Sequence, residues 1–215
     1  MSEATSARGR LITLEGGEGA GKSTQARFVR DWLTDRGREV LLTREPGGSP
    51  LAEAIRGVVL GDWAEGVTPE CEITLMFAAR AAHWHATILP ALQAGRDVVC
   101  DRFIDSSYAY QVWGKQVSLD AFNALQQLVL GEQRPDLTLL LDLDAELGLA
   151  RARDRGDENR FEAESQQFRQ RVREGFLTRA REEPQRVRVV NAECEAEQVS
   201  AQIAVILAEW SAGSA

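Results

Sequence analysis

Short apolar runs alternate along the chain with longer segments in which apolar residues recur every three or four positions. The runs RLITLEG (10–16), EVLLTR (39–44), DVVCD (97–101), LTLLLDLD (137–144) and RVRVVN (186–191) are apolar almost throughout. That is the pattern of parallel strands buried on both faces. Between them, residues 22–36 align Ala26, Val29, Trp32 and Leu33 on one stripe, and residues 51–60 align Leu51, Ile55 and Val59. Further helical patterns cover about 69–94, about 118–130, an Arg/Glu-rich pair around 146–182, and 196–210. Such alternation predicts a doubly wound α/β sheet with right-handed crossovers, in which ligands sit at the carboxyl ends of the strands.

The first strand runs directly into Gly16-Gly17-Glu18-Gly19-Ala20-Gly21-Lys22-Ser23, with Thr24 next. Every fixed position of G-x-x-x-x-G-K-[ST] is filled. Glycines let successive backbone N–H groups curl around a phosphate, because a Cβ would block that approach. The helix opening at Lys22 adds free N–H groups and the positive end of its dipole. Lys22 is placed to reach the β- and γ-phosphates, and the Ser23 hydroxyl to ligate Mg²⁺. The segment therefore predicts a bound nucleoside triphosphate.

Composition narrows the class. A chain of 215 residues suits one domain, and 44% hydrophobic with 27% charged residues is an ordinary globular balance. The formal charge is −8, which disfavours a binder of nucleic acid polymers or anionic membranes. Only two of the 25 basic residues are lysines, Lys22 and Lys115, and one of them occupies the motif. Cys71, Cys100 and Cys194 lie far apart, odd in number and without a CxxC, which fits a reducing cytoplasm. No apolar run approaches the ~18 residues of a membrane span. The opening segment MSEATSARGR has no apolar centre and does not read as a signal peptide. Residues 1–9 and 211–215 read as disordered tails of a single domain. Neither lysine follows an asparagine, so the guanine-reading Asn-Lys-x-Asp of GTPases is missing. A kinase of a small acceptor is favoured, and it needs a second anion site.

Candidates for that site follow the next two strands. The second ends in Thr43-Arg44-Glu45-Pro46-Gly47-Gly48, with Arg56 on the following helix; the third ends in Asp101-Arg102-Phe103. Each puts an arginine on the edge that carries the phosphate loop, and arginine's fork suits phosphate oxygens. The segments LEGGEGAGKST, TREPGG, LMFAAR, DRFIDSSYAYQ, RPDLTLLLDLD and RARDRG…NRFE occur in the order found in bacterial thymidylate kinases, and the chain resembles that family over about residues 10–210.

The resemblance implies a three-layer α/β fold of the P-loop NTPase type, with about five parallel strands and a small helical lid at about 151–162. It implies transfer of the γ-phosphoryl group of Mg·ATP to dTMP, giving dTDP and ADP, by a cytoplasmic homodimer whose contact includes the apolar helix at 69–94. Glu18 is similar to the family's carboxylate near the sugar 3′-hydroxyl, and Arg44 and Arg102 to the arginines that hold the acceptor phosphate. Arg80 resembles the arginine on the thymine edge, with Phe77 expected to stack on the base and Met76 the alternative. Ser107 and Gln111 match polar residues around thymine, and Tyr110 matches the tyrosine that crowds the 2′ position. Asp101 is the carboxylate expected near Mg²⁺, leaving Asp142 as a strand-end cap. Another nucleoside-monophosphate kinase, or a non-catalytic ATP-binding regulatory module, would share part of this pattern.

Residues 151–188 hold eleven arginines against eight acids, mostly as a solvated helix pair. The phosphate loop has no arginine, so the lid is expected to supply the charge over the transferring group, from Arg155 and Arg160 before Arg151 and Arg153. Two departures from the family pattern stand out. Gln111-Val112-Trp113-Gly114-Lys115 replaces a segment of glycines and an arginine, and predicts a stiffer, bulkier loop. Asn159 stands where an aspartate often precedes the lid arginine. His83 and His85 diverge at i,i+2 on a helix and predict no metal site.

Overall fold

The computed structural model describes residues 8–154 and 164–213, except for the side chains of 152–154. Five strands, β1 (Leu11–Glu15), β2 (Val40–Arg44), β3 (Asp97–Asp101), β4 (Leu137–Asp142) and β5 (Val187–Asn191), form one parallel sheet in the order β2-β3-β1-β4-β5. β1 lies at the centre and is buried along its whole length, whereas the edge strands β2 and β5 are only partly covered. The pleat sorts the apolar residues into two layers. Ile12, Leu14 and Val99 face Val29 of α1 (Lys22–Thr34) and Ile203 and Leu207 of α9 (Ala196–Ala212). Leu11, Val98 and Cys100 face Phe77 of α3 (Pro69–His83) and Phe122 of α6 (Leu119–Leu130).

Register places the ligand edge. Asp101 pairs with Leu14 on one side and with Arg44 on the other, so β1, β2 and β3 end level with one another. The loops that leave them start from a common line.

Three expectations are revised. The helix expected over 69–94 is α3, a π-helical turn at Trp84–Ile88, and then α4 (Leu89–Gln93). Pro90 has no N–H to continue the α ladder, and the wider turn accommodates that loss. The stiff loop expected at 112–116 is mostly helical. A second π-helical turn, Tyr108–Gly114, follows the short α5 (Ile104–Ser107). Trp113 on that turn packs against Gly175 of α8 (Gln166–Glu182), where a Cβ would come within 2.7 Å of its ring. Lys115 pairs with Glu164 and lies 5.1 Å from the centre of the Phe168 ring. Some residues expected in the tails are ordered. The Gly9 N–H donates to Leu92 O at 2.8 Å, and α9 continues to Ala212.

Candidate active site

The phosphate loop is a turn that only small residues can make. Gly16 has φ 140° and Gly19 φ 72°, and added Cβ atoms would meet Leu141 O at 2.4 Å and Gly148 O at 2.0 Å. These close approaches to β4 and to α7 (Ala145–Asp154) fix the loop's path. Gly21 caps α1 in the left-handed conformation with no side chain over the helix end, which leaves the dipole's positive pole toward the loop. Lys22 donates to Gly17 O at 2.7 Å across the turn. Burial, then the nearby Arg102 cation, lowers the Lys22 pKa to about 8 in spite of Glu18, Asp101 and Glu15. Ser23 Oγ donates to Asp101 Oδ2 at 2.5 Å, so the two residues expected near the metal already touch.

Arg102 is the most heavily engaged group at this edge. Nη1 donates to Gly16 O at 2.9 Å and to Ser106 Oγ at 3.1 Å; Nη2 donates to Glu18 Oε1 at 2.8 Å and to the Tyr110 hydroxyl at 3.1 Å. Burial works against this cation, but Tyr110, Glu18, Asp101 and Glu15 outweigh it and hold its pKa above the ordinary value. Burial raises the Tyr110 pKa, although Arg102 pulls it down. The Tyr110 hydroxyl donates to Glu18 at 3.0 Å.

A cavity of about 160 Å³ opens beside these groups. Glu18, Arg56 and Arg102 line its charged end, and Pro46, Leu60 and Met76 supply apolar wall. Tyr110, Ser106, Glu45 and Gln111 complete it. Gln111 Nε2 donates to Glu72 Oε1 at 2.8 Å, while Gln111 Oε1, also buried, has no partner among the described residues.

The expected stacking residue is corrected here. Phe77 is in the core, edge-to-face on Phe122 at 5.8 Å, and does not line the cavity; Met76, one position earlier, does. On a helix the two positions differ by 100°, so both cannot face one side.

Arg80 and Ser107 lie behind the cavity wall in a buried network. Arg80 donates to Glu45 Oε2 at 2.8 Å, to Ser107 Oγ at 3.0 Å and to Phe103 O at 3.0 Å, which uses three of its five N–H groups. Glu45 also meets His83 Nδ1 at 3.1 Å, and His83 Nε2 meets Thr43 Oγ1 at 2.8 Å. Sequence reasoning missed Glu45 and His83 as a pair. They lie 38 positions apart and meet only because β2 ends against α3. The exposed His85 points away, and no cluster of three metal-binding side chains occurs among the described residues.

Arg44 remains half-exposed at the edge, 3.2 Å from both carboxylate oxygens of Glu53 on α2 (Pro50–Leu60). Arg56 donates to Pro46 O at 2.8 Å. Asp142 is taken by Arg173 through bonds of 2.7 and 2.9 Å. Arg151 turns from the site to the carbonyls of Ala192 and Glu193. The Arg153 side chain, Arg155 and Arg160 lie outside the described residues.

Comparison with known proteins gives a consistent result. A family model described as thymidylate kinase matches residues 14–203. A thymidylate kinase of Pseudomonas fluorescens is 54% identical over 184 residues, covering 86% of this chain and 88% of its own. One from Alkalilimnicola ehrlichii is 50% identical over 186 residues, covering 86% of each. The crystal structure of thymidylate kinase from Ehrlichia chaffeensis superimposes with a TM-score of 0.76 at 31% identity, covering 93% of this chain and 98% of that one.

The lowered Lys22 pKa has a measurable consequence. At pH 8 about half of the free protein carries a neutral Lys22, and a polyphosphate anion in the loop restores the proton. Calorimetry of nucleoside triphosphate binding at pH 8, in buffers of different ionisation heat, should report uptake of about half a proton. Lys22→Met should abolish that uptake. Uptake of no proton by the unaltered protein would contradict the environment described for Lys22.

Proposed function

The chain belongs to the thymidylate kinase family and transfers the γ-phosphoryl group of ATP to dTMP, giving dTDP and ADP; we propose the following roles for its residues. The observation that carries the assignment is the meeting of the Lys22 loop with Arg102 on a cavity that Pro46, Leu60, Met76 and Gln111 also line.

ATP phosphates lie in the loop from Gly16 to Thr24, with Lys22 on the β- and γ-phosphates. The dTMP phosphate sits at the charged end of the cavity, held by Arg102 and Arg56, with Arg44 closing from the edge. Glu18 accepts from both Arg102 and Tyr110, on the guanidinium face assigned to the acceptor phosphate. With dTMP in place, Glu18 turns to the sugar 3′-hydroxyl, and Tyr110 crowds the 2′ position. The thymine lies against Met76, with Gln111 on its polar edge and Arg80 and Ser107 in the buried layer that backs it. The unpartnered Gln111 Oε1 suits the ring N–H.

No covalent enzyme intermediate is needed, because positioning and charge stabilisation supply the catalysis. The loop has no arginine, so Arg155 and Arg160 are assigned to the equatorial oxygens of the transferring group. Ser23 and Asp101 would hold Mg²⁺. A hydroxyl and a carboxylate 2.5 Å apart are hard oxygen donors, and together with phosphate oxygens and water they suit that ion. When bound, it offsets charge on the β- and γ-phosphate oxygens. Among the described residues no helix is long and apolar enough to cross a membrane. That observation and three unpaired cysteines are consistent with a cytoplasmic enzyme.

The partner proposed is a second copy of the chain. α3 and α6 pack through Phe77 and Phe122, while α6 leaves Leu128 80% exposed and Leu119 48% exposed. A homodimer that covers this face removes that apolar surface from water. Leu128→Glu should shift the protein toward monomer in sedimentation equilibrium. An unchanged dimer would show that the face lies elsewhere.

Substrate choice is tested by ADP release from Mg·ATP with a panel of monophosphates. dTMP should be the preferred acceptor, by at least about tenfold in kcat/KM over CMP, UMP and AMP. Preference for one of the ribonucleotides would point to another nucleoside-monophosphate kinase, and release with none to a binding module.

A further inference from the structure

Glu15 is the last residue of β1, fully buried, and has no part in the transfer described above. A carboxylate so placed needs hydrogen-bond donors. Oε1 accepts from the Phe103 N–H at 2.8 Å, and Oε2 accepts from the Ser106 hydroxyl at 2.5 Å. These partners flank Arg102, whose own N–H donates to Leu14 O at 2.9 Å. The end of β1 thus holds residues 102, 103 and 106 together. Between these ties Arg102 is kept at φ 69°, a conformation that a non-glycine residue retains only where its surroundings impose it.

The side-chain bonds have a fixed direction. Arginine only donates, and a hydroxyl has one proton. Ser106 Oγ therefore accepts from Arg102 Nη1 and gives its own proton to Glu15. This chain of donors is complete only while Glu15 is a carboxylate.

We propose that Glu15 is a positioning residue for phosphoryl transfer: through Ser106 and the Phe103 N–H it fixes the backbone and guanidinium of Arg102 over the phosphate loop. The proposal rests on Arg102 as a ligand of the acceptor phosphate. Burial, then the charge of Asp105, pushes the Glu15 carboxyl up to about 7, against the pull of Ser106, Arg102 and the Phe103 N–H. The other titratable groups that act with it are Lys22 of α1 and Cys100 of β3. Asp105 is itself engaged by Arg186 and by Arg179 of α8. Charge on Glu15 is therefore lost as pH falls below about 7.

Glu15→Gln keeps the shape but brings an N–H where an acceptor is needed: turned to Phe103 it faces another N–H, and turned to Ser106 it leaves the hydroxyl proton without its acceptor. Steady-state kinetics with Mg·ATP and dTMP should show kcat/KM for dTMP reduced by about 10- to 100-fold. The KM for ATP should change by less than about threefold, and the wild-type acid limb near pH 7 should be missing from the variant. Ser106→Ala keeps the Phe103 bond and should show a smaller loss of the same kind; it also serves if Glu15→Gln does not fold. Wild-type kcat/KM in both variants overturns the proposal. So does equal loss toward ATP and dTMP together with a lowered melting temperature, the mark of a merely structural role. Arg102→Lys, measured alongside, separates the two readings. Unchanged dTMP turnover there removes the role assigned to Arg102, and with it the proposal. A loss there without one in Glu15→Gln or Ser106→Ala removes only the role of Glu15.

Discussion

Two cations held close together out of water constrain the rest of this site. Burial lowers the affinity of Lys22 for its proton, and Arg102, only 15% exposed at its side chain, lowers it further. Like charges in a desolvated setting repel strongly, so such an arrangement persists only with anions around it. In this structure the anions are carboxylates: Glu18 on Arg102, Glu15 behind it, and Asp101 beside Ser23. Two phosphate-bearing substrates would satisfy the same cations. The geometry follows from the sheet. Asp101 is level with Leu14 and Arg44, so the segments after β1, β2 and β3 have no choice but to meet.

Much of this was legible in the sequence, because each strand is short and largely apolar and the phosphate-binding motifs follow strands. The phosphate loop could be read residue by residue, since its motif is contiguous in the chain, whereas the close approaches of Gly16 to Leu141 O and of Gly19 to Gly148 O could not. Arg44 and Arg102 could be placed on one edge because strand ends in a parallel sheet share a side. What was not legible depended on tertiary geometry. The phase of α3 sets Met76 toward the cavity and Phe77 toward Phe122, and an apolar run on its own does not fix that phase. The π-helical turns at Trp84–Ile88 and Tyr108–Gly114 carry no plain local signal apart from Pro90. Glu15 looked like the last residue of a strand and not like the support of an arginine 87 positions later.

The acceptor side is built in two layers. Glu18, Glu45, Arg56, Met76, Arg102 and Ser106 line the cavity; behind them His83 and Thr43 join Glu45 in the network that holds Arg80, and Glu15 holds Ser106 against Arg102. Buried ion pairs of this kind add little stability over apolar packing, but removing one partner strands a charge. Their value here lies in fixed direction. An arginine whose remaining N–H groups are aimed before the substrate arrives loses less freedom when it binds.

On this reading Glu18 occupies, on Arg102, the position of the acceptor phosphate. The most direct measurement is a crystal structure with dTMP and a non-hydrolysable ATP analogue bound together. An acceptor phosphate oxygen is expected within about 3 Å of the Arg102 guanidinium, with Glu18 released from it toward the sugar. A phosphate bound elsewhere, with the Arg102–Glu18 pair intact, would contradict it.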